Sequence, residues 1–196
     1  MPEVGTIAVI GAGPGGREIA RAAALAGYRT LLEDILPASL RRAQDEIRRH
    51  LDQAVERGHS TRTDADAALA RIEYVRSIEE AARAADLVIE AVPDEMESKL
   101  EIFLLLDKMC RPGTILVSNT ATLSISEIAS TTWRPAKCLG MRFGGPPQPG
   151  PRLEIVRAEQ TDDQTLAAAR EVGRRMGREV VVVADRPPQP APTPKA

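Results

Sequence analysis

The chain has 196 residues, with 28 acidic and 26 basic side chains and a formal net charge of −2. This balance argues against a nucleic-acid-binding protein, because such proteins use a positive field to attract phosphate. No apolar run approaches the roughly 20 residues that span a bilayer, and the first residues lack the pattern of a signal peptide. We therefore expect a cytoplasmic protein with no nucleic-acid and no membrane partner.

The composition also predicts the kind of core. Hydrophobic residues make up 43% of the chain but aromatic residues only 3%, so we expect an aliphatic core. The two cysteines, Cys110 and Cys138, lack the spacing of metal ligands. We expect two buried thiols in a reduced compartment, and no metal site.

Short apolar runs alternate with helical patterns along the chain. Strands are expected at 6–10, 30–32, 72–75, 86–92, 114–118, 138–143, 153–156 and 179–183. Helices are expected from the first glycine run to about residue 26, then at 37–57, 63–70, 78–85, 96–109, 124–130 and 162–176. This alternation predicts an α/β fold with a doubly wound, mostly parallel sheet and helices on both faces.

Helix boundaries and one helix face can be predicted from single residues. Gly27 is expected to cap the first helix, Pro37 to begin the long second helix and Gly58 to end it. One face of that second helix repeats apolar side chains at helical spacing: Leu40, Ala43, Ile47, Leu51 and Ala54.

Two segments rich in proline interrupt the pattern. Residues 144–151 form a Pro/Gly loop, and residues 186–196 contain five prolines. Because proline cannot continue a helix or a ladder, we expect one ordered domain over 1–185 and a disordered tail over 186–196. Such a tail can also serve as a ligand for a partner protein.

A glycine-rich turn joins the first strand to the first helix. Gly11 permits a tight turn, Gly13 lets the backbone approach a pyrophosphate, and Gly16 allows close packing of helix and strand. Asp34 ends the second strand, 18 residues after Gly16, where a carboxylate accepts hydrogen bonds from the adenosine ribose. The pattern predicts a Rossmann-type domain that prefers NAD to NADP, since Asp34 would repel a 2′-phosphate.

Glu18 complicates this interpretation. It is expected in the first turn of the helix, close to the phosphate position, where its charge would repel a pyrophosphate. The neighbouring Arg17 is the candidate to compensate this charge.

Four segments together resemble the L-3-hydroxyacyl-CoA dehydrogenase family. They are the glycine run at 11–16, Val-Ile-Glu-Ala-Val-Pro-Asp at 88–94, Ser-Asn-Thr at 118–120 and Gly-Met-Arg-Phe at 140–143. The resemblance covers about residues 5–185 and is to the N-terminal NAD-binding domain of that family. It implies the family reaction of fatty-acid metabolism, the NAD-dependent oxidation of (3S)-hydroxyacyl-CoA to 3-oxoacyl-CoA.

The resemblance also implies roles for positions that line the cofactor. Ala91 and Val92 would line the adenine side, and Asp94 would lie near the nicotinamide ribose. Lys99 would reach the cofactor from its helix, and Asn119 would lie beside the nicotinamide ribose and the catalytic positions. The cofactor half of the site is therefore expected to be intact.

The catalytic half departs from the family pattern. Arg142 stands where the family has its general base His, and a guanidinium cannot accept a proton at neutral pH. Ala121 stands where the family has a substrate-binding Ser. Glu154 matches the acid that orients the His and is expected to pair with Arg142. His50 and His59 are too distant in sequence to be expected as a replacement base.

Three functions remain open on the sequence. The family also continues into a helical domain that has no counterpart here, so the favoured prediction is an NAD-binding dehydrogenase-like protein that is catalytically impaired alone. A separate partner chain would then supply the helical domain. The first alternative is an active dehydrogenase on an acyl-CoA or acyl-carrier-protein thioester, with Arg142 binding an acidic substrate. The second is a non-enzymatic, NAD-responsive interaction module.

Overall fold

The computed structural model describes residues 3–144 and 152–185. All but the first residue of the predicted loop at 144–151, and the predicted tail at 186–196, lie outside the described residues. The strands are β1 (Thr6–Ile10), β2 (Arg29–Glu33), β3 (Ile72–Val75), β4 (Leu87–Glu90), β5 (Ile115–Ser118), β6 (Cys138–Phe143), β7 (Arg152–Arg157) and β8 (Glu179–Ala184). The α-helices are α1 (Pro14–Leu25), α2 (Pro37–Glu56), α3 (Arg62–Ala70), α4 (Ile78–Ala84), α5 (Met96–Met109), α6 (Ile125–Ala129) and α7 (Asp163–Arg175).

All eight strands form one sheet, in the order β3-β2-β1-β4-β5-β6-β7-β8. Neighbouring strands are parallel except β6 and β7, which pair antiparallel. The strand order reverses between β1 and β4, and this is where open α/β sheets form a crevice for ligands. The predicted fold class, a Rossmann-type and mostly parallel sheet, is confirmed.

Helices cover both faces of the sheet. One aliphatic cluster packs α1, α2, α3 and α7 against the first face, and a second packs α4, α5 and α6 against the other. Leu40, Ala43, Ile47 and Leu51 of the predicted α2 face are buried, whereas Ala54 is half-buried. Within the described parts of the chain, no helix is both long enough and apolar enough to cross a bilayer.

Helix boundaries follow the residues that predict them, but one strand is shorter than expected. Gly27 and Gly58 follow α1 and α2 with φ of +90° and +71°, in the left-handed region that favours glycine. The strand expected over 86–92 is only Leu87–Glu90. Before its start, the Asp86 carboxylate accepts from the backbone amides of Gly5 and Thr6 at the beginning of β1. β4 ends early because the Val92 amide donates to the Glu90 carboxylate.

Candidate functional site

The turn between β1 and α1 forms a cradle for an anion. Gly11 has φ of +102°, and its amide donates to the Glu33 carbonyl at 2.8 Å. Pro14 begins α1, and no side chain caps that helix at its N-terminus. The free amides of the first turn therefore point at the crevice, which is the arrangement that binds a phosphate group.

The three glycines of the turn are under different steric constraints. A Cβ on Gly11 would lie 2.9 Å from the Ala91 carbonyl oxygen, and a Cβ on Gly16 would overlap the Gly11 carbonyl oxygen. A Cβ on Gly13 would meet no protein atom within 4 Å. Gly11 and Gly16 are thus required by the protein's own packing, whereas the space beside Gly13 is free for a ligand, as a pyrophosphate requires.

Asp34 lies at the end of β2, next to the glycine turn. Its carboxylate accepts from the amide of Ala12 at 3.0 Å and from the amide of Leu36 at 2.9 Å. These bonds hold a negative charge at the edge of the crevice. The contact with the adenosine ribose remains a prediction for which this carboxylate is correctly placed.

The charge of Glu18 is neutralised, but not by the predicted partner. Because α1 begins at Pro14, Glu18 lies beyond its first turn. Its carboxylate pairs with Arg21 at 2.6 Å and with Arg178 at 3.1 Å. The expected compensation by Arg17 is wrong, since the Arg17 guanidinium instead pairs with Glu46 of α2 at 3.1 Å. Two cations therefore reduce the repulsion that Glu18 would exert on a phosphate.

A buried ion pair joins the loops that follow β4 and β5. The Lys99 ammonium lies 2.7 Å from Glu90, and both side chains are fully buried. Glu90 also accepts from the Ser118 hydroxyl at 2.7 Å and the Val92 amide at 2.8 Å. Burial raises the pKa of Glu90, while the Lys99 ammonium acts in the opposite direction. The ammonium also donates to the carbonyls of Val92 and Asn119.

These contacts change the interpretation of Lys99. Its ammonium is directed at Glu90 and two carbonyl groups of the protein, so its role in the described residues is to hold the two loops together. Asp94 reinforces the same junction, because its carboxylate accepts from the Ala121 amide at 3.2 Å and lies 3.8 Å from Lys99. Direct contacts of Lys99, Asp94 and Asn119 with a cofactor stay predictions.

The substituted catalytic positions lie together at the end of β6. Arg142 stands directly opposite Glu154 of β7 in the antiparallel register. Its Nε donates to the Thr120 carbonyl at 3.0 Å, and its Nη1 lies 3.9 Å from Glu154. Arg152, for which no role is predicted from the sequence, lies nearer to Glu154 at 3.1 Å. Glu154 therefore has two guanidinium partners, and one of them is the expected one.

The two histidines are separated from this cluster. His50 and His59 are exposed, on and just after α2, and α2 packs against α1, α3 and β3. Ala121 is exposed beside Asp94, on the loop that follows β5. The structure thus brings the glycine turn, the loops after β4 and β5, and the end of β6 to one edge of the sheet.

Residues 6–186 match the family model described as 3-hydroxyacyl-CoA dehydrogenase, NAD binding domain. The chain belongs to this family. A probable 3-hydroxybutyryl-CoA dehydrogenase of Bacillus subtilis is 36% identical over 185 residues, which are 94% of this chain and 64% of that protein. A 3-hydroxyadipyl-CoA dehydrogenase of Escherichia coli is 36% identical over 181 residues, which are 92% of this chain and 38% of that protein.

The solved structures agree. The crystal structure of an (S)-3-hydroxybutyryl-CoA dehydrogenase from Ralstonia eutropha matches with a TM-score of 0.89 at 30% identity, over 95% of this chain and 65% of that chain. This NAD-binding domain therefore spans less than two thirds of the length of these relatives. The resemblance read from the sequence and the prediction of NAD as cofactor are both confirmed.

Four residues of the site have no predicted role in the sequence: Glu33, Glu90, Ser118 and Arg152. An acid inside an apolar strand is a detectable signal for Glu33 and Glu90, because a buried carboxyl group needs a partner or a function. Arg152 and Glu154 are two residues apart on one strand and share a face of the sheet, so this spacing is a signal for Arg152. No comparable signal marks Ser118, since its importance depends on β4 and β5 being neighbours in the sheet.

Proposed function

We propose that this chain binds NAD as a 3-hydroxyacyl-CoA dehydrogenase-like protein and is catalytically impaired alone. The observation that carries the proposal is the guanidinium of Arg142 at the position of the general base, bonded to the Thr120 carbonyl and 3.9 Å from Glu154. A guanidinium stays protonated at neutral pH, so the proton of a substrate hydroxyl has no acceptor there.

The residues of the chain divide into a binding half and a deficient half. Bound NAD supplies the hydride acceptor. The free amides at the start of α1 suit its pyrophosphate, and the Asp34 carboxylate suits its adenosine ribose. On the substrate side, Ala121 offers a backbone amide but no hydroxyl, and that amide is bonded to Asp94. Glu154 is ion-paired with two guanidiniums instead of orienting a base.

The first experiment separates binding from turnover. NADH binding is measured by fluorescence titration, and oxidation of NADH is followed with acetoacetyl-CoA. We expect saturable NADH binding with very slow oxidation. Absence of NADH binding at millimolar concentration would contradict the cofactor assignment, and rapid oxidation would contradict the impairment.

The second experiment restores the missing groups. The double variant Arg142→His with Ala121→Ser is expected to oxidise NADH faster by about 10²- to 10⁴-fold, the usual contribution of general acid–base catalysis, since in this direction the imidazolium donates a proton to the oxygen of the reduced keto group. Arg157→His is the matched control, because it places the same imidazole at the opposite end of β7, where the arginine pairs with Asp163. No gain in the double variant, or an equal gain in the control, would overturn the role given to Arg142.

A second candidate is an active dehydrogenase on an acyl thioester that carries an extra carboxylate. The observation that favours it is the pair of guanidiniums, Arg142 and Arg152, around the single carboxylate of Glu154. One positive charge is left over, and arginine is well suited to bind a carboxylate. The Escherichia coli relative is named for a substrate with such a group, 3-hydroxyadipyl-CoA.

This candidate has its own test. Oxidation of NADH is compared with 3-oxoadipyl-CoA and acetoacetyl-CoA, and the same acyl groups are offered on an acyl carrier protein. A strong preference for the acidic acyl group that disappears in Arg142→Ala would support the candidate. Equal, negligible rates with all four thioesters would exclude it and favour the impaired protein.

We further propose that a partner chain completes the substrate side of the cleft and that the protein is located in the cytoplasm. The relatives contain additional sequence beyond the part matched here, and the corresponding helical segment, on a partner chain, would close the cleft around an acyl-CoA or acyl-carrier-protein thioester. Cys110 and Cys138 are free and buried, which supports a reducing compartment.

A further inference from the structure

A cavity of about 290 Å³ opens beside the glycine turn, on the side of the sheet covered by α4 and α5. Gly11 and Asp34 form its border. Its walls are apolar and consist of Ile10, Ile35, Ile78, Val92, Ile102 and Leu105. The volume is close to the lower end of the roughly 300–1,000 Å³ of small-ligand pockets.

The rim of this cavity is suited to a ligand. Ile35 is 78% exposed and Leu105 is 38% exposed, although both are large apolar residues. A cluster of exposed apolar side chains at a cavity mouth is typical of a binding site. Asp34 borders the cavity and is predicted to hold the adenosine ribose. The adenine base attached to that ribose would therefore lie in the cavity.

One polar side chain points into this apolar space. Glu33 is only 7% exposed and lines the cavity. Within the described residues its carboxyl group has no hydrogen-bond partner, in contrast to Asp34 and Glu90. Side chains alternate along a strand, so Glu33 and the following Asp34 leave β2 in different directions. The two acids can therefore contact different parts of one ligand.

We propose that Glu33 is a specificity-determining residue that recognises the adenine ring of NAD through its neutral carboxyl group. The carbonyl oxygen accepts a hydrogen bond from the exocyclic amine, and the hydroxyl donates one to an adjacent ring nitrogen. This pairing satisfies the buried acid and gives an apolar cavity the single oriented polar group that selects a base. The proposal rests on NAD binding by the family domain.

The surroundings of Glu33 favour the neutral form. Burial, together with the nearby charge of Asp34, raises the pKa of Glu33 to about 7. Among the residues that line the cavity, Asp34 is the only other titratable group, and β1, α4, α5 and the segment after β4 contribute only apolar side chains and Gly11. Asp34 accepts two backbone hydrogen bonds, whereas the Glu33 carboxyl group accepts none within the described residues, and the neutral form is favoured at Glu33.

The test measures binding of NADH and of ADP-ribose by calorimetry at pH 6 and pH 8. ADP-ribose keeps the adenosine half and lacks nicotinamide. We expect both ligands to bind the unmodified chain about tenfold more weakly at pH 8, since the neutral fraction of an acid with a pKa near 7 falls by that factor. Glu33→Gln imitates the neutral acid, so its affinity is expected to stay high at both pH values.

Two further variants complete the test. Glu33→Leu keeps the cavity apolar and is expected to bind weakly at both pH values. Glu73→Gln is the matched control, because Glu73 is an acid on the adjacent strand that pairs with Arg29 at the surface. It is expected to keep the pH dependence of the unmodified chain. Circular dichroism of each variant checks that it is folded.

Each outcome has a separate meaning. An affinity for ADP-ribose that is independent of pH, or that rises with pH, would overturn the role of Glu33 while leaving NAD binding intact. A pH dependence that persists in Glu33→Gln would do the same. Absence of binding by the unmodified chain at both pH values would instead contradict the cofactor of the domain.

Discussion

Three acids at the carboxyl ends of β2 and β4, the strands on either side of β1, have very different surroundings. Glu33 is buried without a partner, Asp34 is bonded to two backbone amides, and Glu90 is paired with a buried ammonium. The surroundings of a carboxyl group determine whether it is neutral, a surface anion or half of an ion pair. The same side-chain chemistry thus has three uses at one crevice: the proposed base recognition, the predicted ribose binding and the attachment of two loops.

Glu33 is expected to make stability depend on pH. Its pKa is about 7 in the folded chain against an ordinary 4.5, so the folded state binds the extra proton between these values. The free energy of unfolding therefore falls as pH rises through this window and levels off above it. Glu33→Gln is expected to be more stable than the unmodified chain by roughly 3 kcal/mol at pH 8 and equally stable near pH 4.

Urea unfolding of both proteins across this range measures the difference. Glu73→Gln again serves as the control, because it removes an exposed acid whose pKa is lowered by Arg29. A Glu33→Gln variant with the same pH profile as the unmodified chain would show that Glu33 is ionised without penalty.

The stability of the chain is expected to depend strongly on the buried ion pair between Lys99 and Glu90. Lys99→Met leaves the Glu90 carboxylate buried without its cation and is expected to lose about 3–5 kcal/mol of stability. A second change, Glu90→Gln, removes the stranded charge, keeps an acceptor for the Val92 amide and offers the Ser118 hydroxyl an amide donor, so it is expected to recover much of the loss. Urea unfolding measures both, with Lys108→Met on the exposed face of α5 as control. If Lys99→Met alone were as stable as Lys108→Met, this prediction would be contradicted.

At the scale of elements, the glycines of the turn between β1 and α1 have separable roles, one in packing and one in ligand binding. Gly13→Ala adds a methyl group with no protein atom within 4 Å, so its stability is expected to change little while NADH affinity falls sharply. Gly16→Ala forces a methyl group onto the Gly11 carbonyl oxygen and is expected to cost about 1–3 kcal/mol of stability. Thermal unfolding together with NADH titration distinguishes the two effects, and equal destabilisation by both changes would refute the assignment.

The elements themselves follow closely from local sequence. Pro37, Gly27 and Gly58 mark helix ends because their backbone preferences act locally, and the apolar runs mark strands that are buried on both faces. The antiparallel direction of β7 depends instead on how β6 and β7 pair in the sheet. Only eight residues separate β6 from β7 along the chain, fewer than a crossover between parallel strands needs, but the residues of either strand do not specify this direction.

Only part of the site can be predicted from the sequence, because some of its contacts depend on how separate elements pack together. The glycines and Asp34 lie within one local unit, whose chemistry is specified by residue type and spacing. Ser118 reaches Glu90 only because β5 pairs with β4, from a position 28 residues further along the chain. Arg152 lies two residues from Glu154 on the same face of β7, so that contact is local. The sequence shows an acid at position 33 in an apolar strand, but the importance of Glu33 depends on the cavity that α4 and α5 form around it.

At the scale of the molecule, the crevice and the sheet are one cooperative unit, because strand ends from β1, β2, β4, β5 and β6 all border it. A ligand that binds only the folded chain must then stabilise the whole domain. At 100 times its Kd, NADH is expected to add about 2.7 kcal/mol, which raises the Tm of a domain of this size by about 5–10 °C.

The same measurement tests the preference for NAD over NADP. The Asp34 carboxylate is predicted to hold the adenosine ribose, so a 2′-phosphate would bring a second negative charge against it. NADPH at the same concentration is therefore expected to leave the Tm nearly unchanged, and Asp34→Ser is expected to narrow the difference between the two ligands. Equal shifts with NADH and NADPH in the unmodified chain would mean that Asp34 does not face the ribose, and the adenine cavity beside it would then need a different ligand.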